Sequence, residues 1–177
     1  DNMYSSDLKR AIDTVHLMKD VNQVSKIGKI KKLPEFREVF YGSFEGGSID
    51  DIWLSVSKAA GIPATTDVKK IIDTIGIYKF REVTKKADPL HLAESTEELE
   101  TRMCRAIKVL RKETSGEGRV LLVSHGDFIK TLGIKYWKES DGLHDITFPD
   151  NGSVSRGILD EEGNFEIVDY NCKAEDL

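Results

Sequence analysis

Apolar residues recur at Leu8, Ala11, Ile12, Val15 and Met18, the i, i+3, i+4, i+7 spacing of a helix that buries one face. That stripe predicts a helix over residues 7–19, with Ser5, Ser6 or Asp7 available to cap its first turn. A second stripe, Leu99, Met103, Ala106, Ile107 and Leu110, follows Ser95-Thr96-Glu97-Glu98, where serine and the glutamate three residues on form a capping box. This helix is expected to end near Ser115-Gly116, because glycine takes a left-handed C-terminal position without steric penalty.

After Arg119 the pattern changes to an unbroken apolar run, Val120-Leu121-Leu122-Val123, too short for a separate helix and suited to a strand buried on both faces. Such a strand implies helices on both sides of a sheet. His125-Gly126 ends it, and Phe128, Leu132 and Ile134 open another helical pattern. The order strand, turn, helix puts His125 at the carboxyl end of a strand, where α/β sheets bind ligands. Residues 153–159 and 164–170 read as a hairpin around the polar turn Asp160-Glu161-Glu162-Gly163. Between them and the first helix, residues 47–93 carry Gly47, Pro63 and Pro89 and helical patterns over 52–60 and 68–75. They are expected to form an insertion over one end of the sheet, with Trp53 and Phe80 as its packing.

Length and charge narrow the reading only a little. The 177 residues fit one domain. Lys and Arg total 26 against 31 Asp and Glu, a net charge of −5 with both signs interspersed, which argues against nucleic acid or an anionic membrane as partner. A small anionic substrate is compatible with it, since a few cations in a cleft set the local potential. No apolar run is long enough to span a membrane, and residues 1–3 have neither part of a secretion signal, so a cytoplasmic location is expected. Cys104 and Cys172 are far apart and in no metal-ligand spacing; both are read as reduced thiols, Cys104 packed on its helix, and neither a metal nor a cofactor is expected.

Three separated segments carry the chemistry: Ser6-Asp7-Leu8-Lys9-Arg10-Ala11-Ile12-Asp13-Thr14, Phe36-Arg37-Glu38-Val39-Phe40-Tyr41-Gly42-Ser43-Phe44-Glu45-Gly46, and Val123-Ser124-His125-Gly126. In this order they resemble the histidine phosphatase, or phosphoglycerate-mutase-like, superfamily over nearly the whole chain. The resemblance implies a three-layer α/β/α domain with a mixed sheet. It implies that Arg10 holds the transferring phosphoryl group, that Glu38 is the general acid for the leaving oxygen, and that His125 donates to a phosphoryl oxygen. Glu38 is preferred to Glu35 because it alone stands four residues before Gly42. Elementary chemistry agrees. A guanidinium meets phosphate oxygens through two donors, an imidazole beside phosphate keeps its proton more readily, and the helix start at Gly126 offers free N–H groups to the anion.

The family's attacking histidine, in an Arg-His-Gly-x-Thr segment ending the first strand, has no counterpart. No Arg-His-Gly occurs, and of His16, His91, His125 and His144 only His125 lies in a family motif. An additional N-terminal segment is therefore expected to supply the nucleophile. Without that central strand, unpaired edges would favour a homodimer or strand exchange. With it, the resemblance implies a metal-independent phosphomonoester hydrolase acting through phosphohistidine. A mutase-type phosphoryl transfer and a noncatalytic phosphate-binding module are the alternatives. Each residue also has a plain reading: Arg10 as a helix-surface cation, His125 as a satisfied turn residue, Glu38 as an acceptor for a backbone amide or for Arg37. His91, His16 and His144 are read as solvent-exposed, Lys69-Lys70 and Lys85-Lys86 as solvated faces, and Glu45 as a support for its own loop.

Overall fold

The computed structural model describes residues 2–21, 30–114, 118–138 and 146–176. In chain order the strands and helices are β1 (Asn2–Ser5), α1 (Lys9–Val21), β2 (Lys31–Lys32), α2 (Ile49–Ala60), α3 (Val68–Ile75), α4 (Ile77–Ala87), α5 (Thr96–Glu113), β3 (Val120–Val123), α6 (Gly126–Tyr136), β4 (Val154–Leu159) and β5 (Phe165–Cys172). The chain is a mixed α/β fold with a parallel sheet, and it divides into two compact units. One comprises Asp1–Glu38 with Arg102–Leu177, the other Val39–Thr101.

In the first unit β1 lies between β2 and β3, parallel to both, with Met3 opposite Leu121 and Tyr4 opposite both Lys31 and Leu122. Met3 and Tyr4 are buried, as are Ala11 and Val15 from the predicted α1 stripe. The β1 strand is the main difference from the sequence expectation. Its four residues are too few to alternate legibly, and its partners are distant in sequence, so nothing local marks it as the middle strand of the described parallel sheet. The β3 strand is correspondingly not buried on both faces. Val120 is exposed and Leu121, Leu122 and Val123 are half-buried, because β3 is an edge strand with β1 on one side and, among the described residues, no strand on the other.

The hairpin forms as expected, β4 antiparallel to β5, with Gly163 at φ 90° and the Asn164 amide donating to Asp160 Oδ1 at 2.7 Å in the turn. It is a second sheet among the described residues, so the parallel and antiparallel parts of the expected mixed sheet are not hydrogen-bonded to each other here. It packs on α6: Trp137 stacks on Tyr170 with ring centres 5.5 Å apart, and a Cβ on Gly133 would come within 2.7 Å of the Tyr170 ring. Glycine at 133 is what lets helix and strand approach.

The capping box at the start of α5 is present, Ser95 N–H donating to Glu98 Oε2 at 2.8 Å and Glu98 N–H to Ser95 Oγ at 3.2 Å. The helix runs to Glu113; the Ser115-Gly116 end lies outside the described residues. Cys104 is exposed, not packed, since the buried face of α5 is the Met103, Ala106 and Ile107 side.

The second unit contains α2 and α3 where helical patterns were read, and α4, which was not anticipated although Ile77, Phe80 and Val83 mark its buried face. Trp53 packs between Tyr41 and Phe80, with centroid distances of 5.8 and 5.7 Å. Asp88 is completely buried and gathers the amides of Ser43, Leu90, Leu92 and Ala93 together with the Ser43 hydroxyl. Burial pushes its carboxyl up, but the hydrogen bonds from Ser43, Ala93, Leu90 and Leu92 outweigh this and hold it at about 2. Gly42, at φ 67°, belongs to the same knot, where a Cβ would overlap Asp88 Oδ2 and the Ala93 amide.

Candidate active site

The site lies in the first unit, at the carboxyl ends of β1 and β3. The Ser6 amide donates to Val123 O at 2.9 Å, extending the β1–β3 pairing by one residue, so Ser6 and His125 leave adjacent strands side by side. The loop from Ser6 then enters α1, whose second residue is the exposed Arg10. Strand pairing thus converts a separation of 115 residues into a contact: Arg10 Nε donates to His125 Nδ1 at 3.1 Å.

The protonation state of His125 follows from that bond. A guanidinium nitrogen can only donate, so Nδ1 presents its lone pair and the ring proton of the neutral imidazole is on Nε2, 2.8 Å from Ser6 Oγ. His125 is 7% exposed. Burial, followed by the Arg10 and Arg102 charges, pushes it down to about 4 against the opposing pull of Asp7. Asp7 itself is bound by Arg37 through two bonds of 2.6 Å. This pairing outweighs its partial burial and holds its carboxyl below the ordinary range.

Glu38 meets the start of α6. Its Oε1 accepts from Phe128 N–H at 3.0 Å and its Oε2 from Asp127 N–H at 3.4 Å, so it satisfies two of the orphan donors of the first turn. Glu38 thus accepts from backbone amides, and Arg37 pairs with Asp7. Gly126 opens α6, and a Cβ there would meet only Phe148, at 3.9 Å. Close packing therefore does not require glycine at 126.

Arg102 was not anticipated. It reaches from α5 to donate to the carbonyls of Glu35 and Arg37 at 2.9 Å each and of Glu38 at 3.4 Å, with its guanidinium 4.9 Å from the Phe128 ring centre. It fixes the backbone that delivers Glu38, and the Ser124 hydroxyl adds a bond to Phe36 O at 2.9 Å. The only trace of Arg102 in the sequence is one cation among several on a charged helix. Ser6 had been read only as a candidate cap. It does receive Leu8 N–H at 3.2 Å, but it also faces His125.

The family profile described as histidine phosphatase superfamily, branch 1, matches residues 1–173. The chain belongs to the histidine phosphatase superfamily. A crystal structure of phosphoglycerate mutase from Bacillus anthracis str. Sterne superposes with a TM-score of 0.81 at 30% identity, over 97% of this chain and 72% of that one. Bacillus stearothermophilus YhfR superposes with a TM-score of 0.69 at 20% identity, over 98% of this chain and 74% of that one, a likeness of fold. No curated protein matches significantly.

For this histidine phosphatase superfamily chain, then, the structure brings together Arg10, His125 and Ser6 on one side and sets Glu38 on the α6 amides that immediately follow His125. His91 lies in the second unit, exposed at φ 52° with Nδ1 3.1 Å from Lys85 O, and His16 is exposed on α1. His144 lies outside the described residues. Glu45 accepts from Tyr41 N–H at 3.2 Å, within its own loop. Among the described residues no helix is long and apolar enough to cross a membrane.

Proposed function

We propose that this chain handles a phosphate monoester as a metal-independent hydrolase, with Arg10, His125 and the start of α6 as its phosphoryl site. The observation that carries this reading is the Arg10–His125 contact at the amino end of α6. There a guanidinium, an imidazole and helix-terminal N–H groups converge, and phosphoryl transfer asks chiefly for such positioned positive charge.

In the proposed reaction a histidine attacks phosphorus while Glu38 protonates the leaving alcohol; water deprotonated by Glu38 then releases phosphate. Bound to Asp127 and Phe128 N–H, Glu38 is an acceptor. It therefore leaves these amides to the phosphate before it acts as a proton donor, so substrate and carboxylate exchange places at the helix start. The nucleophile is proposed to arrive on a strand that adds to the edge of β3 that has no partner strand among the described residues, and β3, which leads to His125, accepts a parallel neighbour there in the way its other edge accepts β1. A second copy of the chain paired through that edge is the competing occupant.

Phosphoglycerate-mutase-type transfer is the second reading, favoured by the 30% identity to the Bacillus anthracis phosphoglycerate mutase. Both readings use the same groups and differ in whether water or a second hydroxyl takes the phosphoryl group.

The test is phosphate release from an aryl phosphate with chelator present, using the protein expressed from its native gene. Activity lost in Arg10→Ala and His125→Ala supports the hydrolase. Transfer between hydroxyls without release supports the mutase. Phosphate binding without turnover by either route supports a noncatalytic module and overturns the catalytic roles.

A further inference from the structure

We propose that Ser6 is a positioning residue for His125, holding its proton on Nε2 so that a phosphate dianion enters the site only together with a proton taken up at Nδ1. This rests on the phosphate-site reading above and adds to it a residue and a proton.

The geometry is closed on the Ser6 side. The Ser6 residue is fully buried and fixed at both ends: its amide is bonded to Val123 O at 2.9 Å, and its Oγ receives Leu8 N–H at 3.2 Å and faces His125 Nε2 at 2.8 Å. A hydroxyl oxygen has two lone pairs, and these two donors fill them. On the other side of the ring Nδ1 accepts from Arg10 Nε. The ring is therefore held between a donor that cannot become an acceptor and an oxygen already arranged to accept.

A phosphate monoester dianion offers only acceptors. Placed on Arg10, its oxygens meet the Nδ1 lone pair, which repels them unless that atom gains a proton and becomes a donor. Binding the dianion thus consumes one proton from solvent. Binding the monoanion is equivalent, because its own proton passes from oxygen to Nδ1. The charged groups facing the ring are Arg10 on α1 and Arg102 on α5, which oppose the gain, and Asp7 before α1, which favours it but is engaged by Arg37. Glu38 and Asp127 stand at the first turn of α6. The incoming anion supplies the negative charge that makes imidazolium stable beside two guanidinium groups.

The test is 15N NMR of histidine-labelled protein titrated with inorganic phosphate at pH 7 and pH 8, in the wild type, Ser6→Ala and Ser6→Thr. The free wild type is expected to show His125 as the neutral Nε2–H tautomer. Saturating phosphate is expected to protonate both nitrogens, and the dissociation constant for the dianion to rise about tenfold per pH unit, the slope of one linked proton. Ser6→Ala is expected to give mixed tautomers, the Nδ1–H form arising as Arg10 turns away from a ring no longer held at Nε2, and weaker phosphate binding, and Ser6→Thr, which keeps the hydroxyl, to restore both.

A His125 that stays neutral under saturating phosphate, or an unchanged tautomer and affinity in Ser6→Ala, would overturn the proposal. Phosphate that perturbs neither Arg10 nor His125 while the Nε2–H tautomer is present would instead overturn the phosphate-site reading, and the proton uptake with it.

Discussion

Arg10 Nε donates to His125 Nδ1 at 3.1 Å, a contact between the first turn of α1 and the residue that caps α6. It joins a cation to the unprotonated face of an imidazole, and the consequences for stability and for binding can be measured separately.

For stability, the folded chain holds His125 down to about 4, from an ordinary 6.5. Below pH 6.5 the unfolded chain takes up a proton that the folded chain does not, so the native state is expected to lose stability as pH falls from about 6.5 to about 4 and to lose no more to this group below that. Urea unfolding at steps across this window checks it. His125→Gln, which cannot titrate, should remove this share of the pH dependence.

For binding, Arg10→Lys keeps the charge but loses the planar donor to Nδ1 and the paired donors that suit a phosphate. A charged hydrogen bond is worth about 1.5–3 kcal/mol, so inorganic phosphate should bind about tenfold to a hundredfold more weakly. Calorimetric titration is the measurement, and an unchanged affinity would remove Arg10 from the site.

The two readings of Glu38 separate by substitution. As a ligand of the Asp127 and Phe128 amides, it is expected to contribute about 1 kcal/mol, lost in Glu38→Ala and largely kept in Glu38→Gln, whose oxygen still accepts. As a proton donor it is lost in both. Denaturation curves report the first role and turnover of the aryl phosphate the second. Equal activity in Glu38→Gln and wild type would leave only the structural role.

In the second unit, Asp88→Ala would leave the buried amide of Ala93, the partly buried amide of Leu92 and the Ser43 hydroxyl without their acceptor, with an expected loss of about 3 kcal/mol. Because the Asp88 carboxyl is held at about 2, below its usual 3.8, its contribution is complete above about pH 4 and disappears as pH falls toward 2. Gly42→Ala should destabilise the same knot through overlap with Asp88 Oδ2 and a left-handed φ of 67°. Chemical denaturation at pH 7 and pH 3 tests all three statements.

The sequence by itself determined the elements whose signals are local. The α1 and α5 stripes, the Ser95–Glu98 capping box and the hairpin around Gly163 depend on neighbours a few residues apart, and periodicity and turn chemistry report such neighbours directly. The resemblance of the Arg10, Glu38 and His125 segments, in this order, to the motifs of the histidine phosphatase superfamily was enough to mark them as one group without coordinates. Tertiary structure alone decided what those residues touch. The β1 strand is made by pairing with β2 and β3, distant in sequence, and that pairing sets Ser6 against His125. Arg102, Asp88 and the amide contacts of Glu38 were illegible for the same reason. Each is defined by backbone groups that every residue possesses, so no residue type at the far end announces the bond, and only the folded path of the chain brings donor to acceptor.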